Sequence, residues 1–134
     1  MRIIAVLLVG FVAVSHVGIL VLEMFFWDHE IGRRIFQMSP DVSAASKVLA
    51  ANQGLYNGFL AAGLFWGLIA GRLDVQRFFL GCVIVAGVFG AATAKFSILF
   101  TQGAPALLAL IRNGGRRRRR ADPSGVPAAD QQYR

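Results

Sequence analysis

The chain has 134 residues, room for one domain, of which 56% are hydrophobic and only 16% charged, and its net charge is +7. A soluble domain is about a quarter charged, and one this small cannot hide several apolar runs of twenty-odd residues in a single core. A soluble enzyme domain, a disordered chain and a disulfide scaffold are therefore excluded; the single cysteine, Cys82, reads as a small buried hydrophobe.

The first apolar run, Ile3 to Phe26, is interrupted only by Ser15, His16 and Glu23. As a helix it reaches about 36 Å, enough to cross the hydrocarbon of a bilayer. Ala13 and Ser15 make a small-residue cleavage pattern behind Arg2. The run continues past them to the interfacial aromatics Phe25, Phe26 and Trp27, so it is read as an uncleaved span. Asp28 to Lys47 is polar, but Ile31, Ile35 and Phe36 share one helical face, which predicts a short helix on the membrane surface. Ser39-Pro40-Asp41 then reads as a helix start, with Ser as cap, Pro at the first position and Asp at the positive dipole end. That helix is expected to run unbroken from Pro40 through a second span, Val48 to Gly71.

Arg72 to Arg77 reads as a charged turn, followed by a third span from Phe78 to Ala94 that Lys95 closes. The fourth run, Phe96 to Ile111, has 16 residues with Gly103 and Pro105 inside. It is just short of the usual minimum of about 17 and is still expected to span. The fold predicted is all-α, a polytopic membrane protein. Four transmembrane helices form a bundle over residues 1–112, with an interfacial helix between the first and second. Residues 113–134 form an Arg-rich, disordered tail.

With four spans, Arg2, Arg72, Arg77, Arg112 and Arg116 to Arg120 fall on one side, and Arg33, Arg34, Lys47 and Lys95 on the other. The richer side is the cytoplasmic one, so both termini are expected inside the plasma membrane. Arg116 to Arg120 has no folded module or aromatic platform beside it, so no nucleic acid is expected. It reads as a topology anchor that also touches anionic lipid headgroups. Small residues recur every fourth position at Gly54, Gly58 and Ala62, at Gly63, Gly67 and Gly71, and at Ala86, Gly90 and Ala94. Such stripes let helices approach closely in lipid and offer a route to homo-oligomers. Two of them on the second span predict that it is the central helix.

Polar groups inside the hydrocarbon are costly and therefore informative. His16 and Glu23 lie two turns apart on one face of the first helix. Gln53, Tyr56 and Asn57 share a face of the second with Asn52 beside it, Lys95 ends the third, and Gln102 lies in the fourth. All eight converge on the outer half of the predicted bundle, a candidate pocket for a small amphipathic molecule. Matched depth predicts His16 opposite Asn57, and Glu23 opposite Gln53 or Lys95. No metal set, phosphate loop or nucleophile elbow accompanies them, so no cofactor is expected and no catalytic role is assigned.

Three segments carry a family resemblance: Glu23-Met24-Phe25-Phe26-Trp27; Lys47 to Leu60 with its Asn52-Gln53-Gly54-Leu55-Tyr56-Asn57-Gly58 string; and Phe100-Thr101-Gln102-Gly103-Ala104-Pro105-Ala106-Leu107. The chain resembles family 1304 of the domains of unknown function, small integral membrane proteins of bacteria and fungi. The resemblance covers residues 1–112; it implies four membrane helices and no established activity. Three functions stay open: a membrane-embedded binding pocket or enzyme for an amphipathic molecule, a structural partner subunit of a membrane assembly, and a small oligomeric transporter.

Overall fold

The computed structural model describes residues 2–93 and 103–120, with the side chains of 3–93 and 103–113. Five helices follow in order: α1 (Arg2–Phe25), α2 (Glu30–Phe36), α3 (Pro40–Ile69), α4 (Leu73–Thr93) and α5 (Ala104–Arg120). α1 packs on α3, α3 on α4, α4 on α5 and α5 back on α1, closing a four-helix ring. α3, which carries the expected second span, is therefore not a central helix. Its two glycine stripes serve two neighbours within the ring: Gly54 and Gly58 meet α1 at Leu20, Glu23 and Met24, while Gly63 and Gly67 meet α4 at Phe79 and Gln76.

Among the described residues the core is aliphatic, namely Val9, Val12, Ala13, Leu64, Leu80, Val83, Ala106 and Ala109. Phe65 and Phe79 pack against this core, whereas many other bulky side chains face outward. Leu7, Phe11, Phe25, Phe59, Trp66, Phe78 and Phe89 are each more than half exposed. α1 and α4 are long and apolar enough to cross a membrane. α3 is longer, at 30 residues, but carries Asn52, Gln53 and Asn57 in its middle, and its mean hydropathy falls accordingly.

Local chemistry sets the helix ends. The Ser39 hydroxyl accepts the Val42 amide at 3.4 Å with Pro40 at the first position, as its sequence predicts. His29 caps α2 by accepting the Ile31 amide at Nδ1, 3.3 Å away. Gly32 lets α2 fold back on the preceding turn, because a Cβ there would collide with the backbone carbonyls of Phe26 and Trp27. α3 ends at Ile69 and the chain turns at Gly71, whose φ of +64° glycine adopts without strain.

Arg72 to Arg77 is not a turn. Helix α4 begins at Leu73, because the Arg72 carbonyl takes the Gln76 amide and Asp74 sits at the positive dipole end, paired with Arg72. Cys82 is half-buried rather than in the core. α5 continues through the arginine run to Arg120, and Asn113 is fully buried. Residues 94–102, with the candidates Lys95 and Gln102, lie outside the described residues, as do 121–134 of the tail.

Candidate functional site

The core-facing stripe of α1 runs Val9, Val12, Ala13 and His16 and then reaches Glu23, two turns further on. The corresponding stripe of α3 runs Leu64, Leu60, Asn57, Gln53 in the opposite direction. Both are apolar at depth and polar toward the α2 end. Gly54 brings the two backbones together there, since a Cβ on it would come within 2.6 Å of Met24 and 3.1 Å of the Leu20 carbonyl oxygen.

Across this close approach the Asn57 Nδ2 donates to the Glu23 carboxylate at 2.8 Å. Both residues are half-buried. The same amide nitrogen lies 3.2 Å from the Gln53 carbonyl oxygen. The expected pairing with Gln53 is corrected here: Glu23 meets Asn57, which was expected opposite His16, while the other expected partner, Lys95, lies outside the described residues. The antiparallel register, in which Gly54 and Gly58 both face Leu20, puts His16 a further turn below, in the core.

His16 is 1% exposed, and its Nδ1 lies 2.8 Å from the Val12 carbonyl. A carbonyl only accepts, so Nδ1 carries the proton in this contact. Asn52, Gln53 and Tyr56 are exposed, with the Tyr56 ring edge-on to Phe59. The structure thus joins Glu23 and Asn57 and sets His16 beneath them. Gln53 opens the stripe to the exterior.

Above this pair the connector is pinned to α3. Trp27 Nε1 donates to the Ser46 hydroxyl at 2.9 Å, and the Ser43 hydroxyl donates to Asp28 at 2.6 Å. That hydroxyl, followed by the Arg33 guanidinium, holds the Asp28 carboxyl below the usual carboxylate range.

A second polar cluster, which sequence reading passed over, sits at the opposite end. Gln76 Nε2 donates to the Gly67 carbonyl at 2.8 Å, Asn113 Nδ2 donates to Gln76 Oε1 at 3.0 Å, and Arg77 donates to the Asn113 carbonyl at 2.6 Å. The signal was there. Gln76 shares the spacing of Leu80, Val83 and Gly87, and Asn113 that of Ala106 and Ala109. No group of three His, Cys, Asp or Glu side chains placed to hold a metal occurs among the described residues.

The family described as "Protein of unknown function (DUF1304)" matches residues 10–112. The chain is also 33% identical over 115 residues to the uncharacterized protein YpaA of Lactococcus lactis subsp. lactis (strain IL1403), covering 83% of this chain and 97% of that one. No solved structure matches.

Proposed function

Because the chain belongs to the DUF1304 family, we propose a function from its geometry: an integral membrane protein of the plasma membrane whose polar end, between α1 and α3, binds a small amphipathic molecule. The observation that carries this reading is the Glu23–Asn57 hydrogen bond of 2.8 Å at the top of an apolar core. A carboxylate and an amide beside aliphatic walls offer a hydrogen-bonding head site and an apolar tail site in continuity. Gln53, exposed one turn above Asn57, supplies a further donor and acceptor at the mouth.

The outward-facing aromatics support the membrane part. Phe11, Phe25, Phe59, Trp66, Phe78 and Phe89 are each more than half exposed, an arrangement that lipid favours and water penalises. In this reading α1, α3, α4 and α5 with the segment before it are the four spans, both termini are cytoplasmic, and α2 lies on the outer surface. Reporter fusions after Ile111 and within Asp28 to Lys47 should then report opposite sides.

Mass spectrometry of small molecules carried through purification of the full chain tests the pocket. One amphipathic species with a hydrogen-bond-donating head should accompany the wild type and be lost from Glu23→Ala and Asn57→Ala proteins that still fold. The same species at the same yield in all three would leave the polar residues as helix-packing contacts alone.

A further inference from the structure

The outward side of α4 carries a groove of about 750 Å³ that is separate from the Glu23–Asn57 end. Its walls are Phe78, Val85 and Phe89, which are 66%, 70% and 69% exposed. Its floor is Gly81 and Ala86, and a Cβ placed on Gly81 meets no atom within 4 Å. At its lower end stands Arg77, half-buried, whose Nη2 is spent on the Asn113 carbonyl. A guanidinium has five N–H donors, so others are left for a second acceptor.

From Arg77 to Phe89 the groove rises about 18 Å along the helix, slightly more than one leaflet of a hydrocarbon core about 30 Å thick. We propose that this groove retains one anionic phospholipid, its phosphate on Arg77 and an acyl chain lying over Gly81 between the exposed phenylalanines. The proposal rests on the membrane reading above but not on the Glu23 pocket.

Charge selects this occupant over a second copy of the chain. A two-fold axis along the membrane normal would place two copies of Arg77 at one depth on facing α4 helices, with no carboxylate among the described residues that line the groove. Phosphate instead complements the guanidinium, which can hold two of its oxygens. Arg112 on α5 and the Arg116 to Arg120 run lie at the same end, and they raise the local concentration of anionic lipid without defining a site.

The test uses the full chain in vesicles of equal parts phosphatidylcholine and phosphatidylglycerol, extracted gently and weighed by native mass spectrometry. Wild type should retain one phosphatidylglycerol about fivefold in preference to phosphatidylcholine, the effect of one arginine at the headgroup. Arg77→Gln should reduce that preference to the vesicle ratio. Gly81→Phe, which fills open space and leaves the core alone, should release lipid of both kinds. Replacing Arg116 to Arg120 by Gln should leave the bound phosphatidylglycerol in place. Equal retention by wild type and Gly81→Phe would overturn the proposal, as would a preference lost only with the tail arginines. A dimer that Gly81→Phe separates would assign the groove to a second copy. Failure of the wild type to enter the vesicles would overturn the membrane reading as well, whereas entry without lipid preference overturns the groove alone.

Discussion

The Asn57 amide donates to the Glu23 carboxylate across 2.8 Å, joining α1 to α3 one helical turn from Gly54, where a Cβ would come within 3.1 Å of the Leu20 carbonyl oxygen. Glu23 is the acceptor, and its acceptor character is what Asn57 uses. Asn57→Leu therefore leaves a half-buried carboxylate without its donor and should lower stability by about 1–3 kcal/mol. Glu23→Gln keeps an acceptor oxygen and should cost far less. The double variant Glu23→Leu with Asn57→Leu should recover part of the loss, because no polar group is then stranded. Thermal melts in one detergent give all three values, and an undisturbed Asn57→Leu protein would show that the contact contributes nothing to packing.

Glycines in this fold divide by what a methyl group would meet. At Gly32 it meets the backbone carbonyls of Phe26 and Trp27, and at Gly54 the Leu20 carbonyl as well as Met24. Backbone cannot step aside, so Gly32→Ala and Gly54→Ala should each destabilise by about 1–3 kcal/mol. At Gly58 the near atom is only the Cδ1 end of Leu20, which can rotate away, and at Gly18 nothing lies within 4 Å. Alanine at these two should be neutral or raise stability by up to about 1 kcal/mol through helix propensity. Melting temperatures should rank Gly18→Ala above Gly58→Ala, and both well above Gly54→Ala and Gly32→Ala. The reverse order would contradict the packing.

The helices were legible where local chemistry decides them. Ser39-Pro40-Asp41 is a start signal independent of tertiary context, and α3 begins there. The Ile31, Ile35, Phe36 spacing likewise marked α2. Register was not legible. Equal depth was measured from the helix ends, whereas the actual level of Asn57 is set by Gly54 against Leu20 and Met24, a contact that no spacing along one helix reveals. Gln76 and Asn113 were missed for a related reason. Each stands next to arginine and so reads as solvated, yet each lies on the inward face of its helix and is 3% exposed or less. Charge in the neighbourhood masked the periodicity.

Acid should loosen the α2 connector. Asp28 is held below the ordinary carboxylate value by the Ser43 hydroxyl and then by Arg33. A depressed folded-state pKa contributes stability above the unfolded value, about 3.9, and that contribution is lost as pH falls from there through the folded value. Melting temperature should therefore drop between roughly pH 4 and the lower folded value. Asp28→Asn, which lacks the titrating group, should be less stable at neutral pH and should show a flatter acid limb. An acid limb identical to that of the wild type would assign the loss to other carboxylates.

The clasp at the opposite end offers the sharpest separation of hydrogen bonding from shape. Gln76 bridges α3 and α5, donating to the Gly67 carbonyl at 2.8 Å and accepting from Asn113 at 3.0 Å, and it is 3% exposed. Gln76→Leu keeps most of the volume and removes both bonds, for an expected loss of about 1–3 kcal/mol. Gln76→Glu keeps the shape more closely still and retains an acceptor for Asn113. It also sets a carboxylate oxygen against the Gly67 carbonyl, where an N–H had stood. If the direction of the bonds matters, Glu should be at least as damaging as Leu at neutral pH despite being the nearer isostere. Because Arg77 reaches α5 through the Asn113 carbonyl, loosening the clasp should also speed limited proteolysis near the start of the arginine run. Trypsin cleavage after Arg112 in detergent, compared among wild type, Gln76→Leu and Gln76→Glu, measures this directly. Equal melting and equal cleavage in all three would mean that shape alone holds α5 in place.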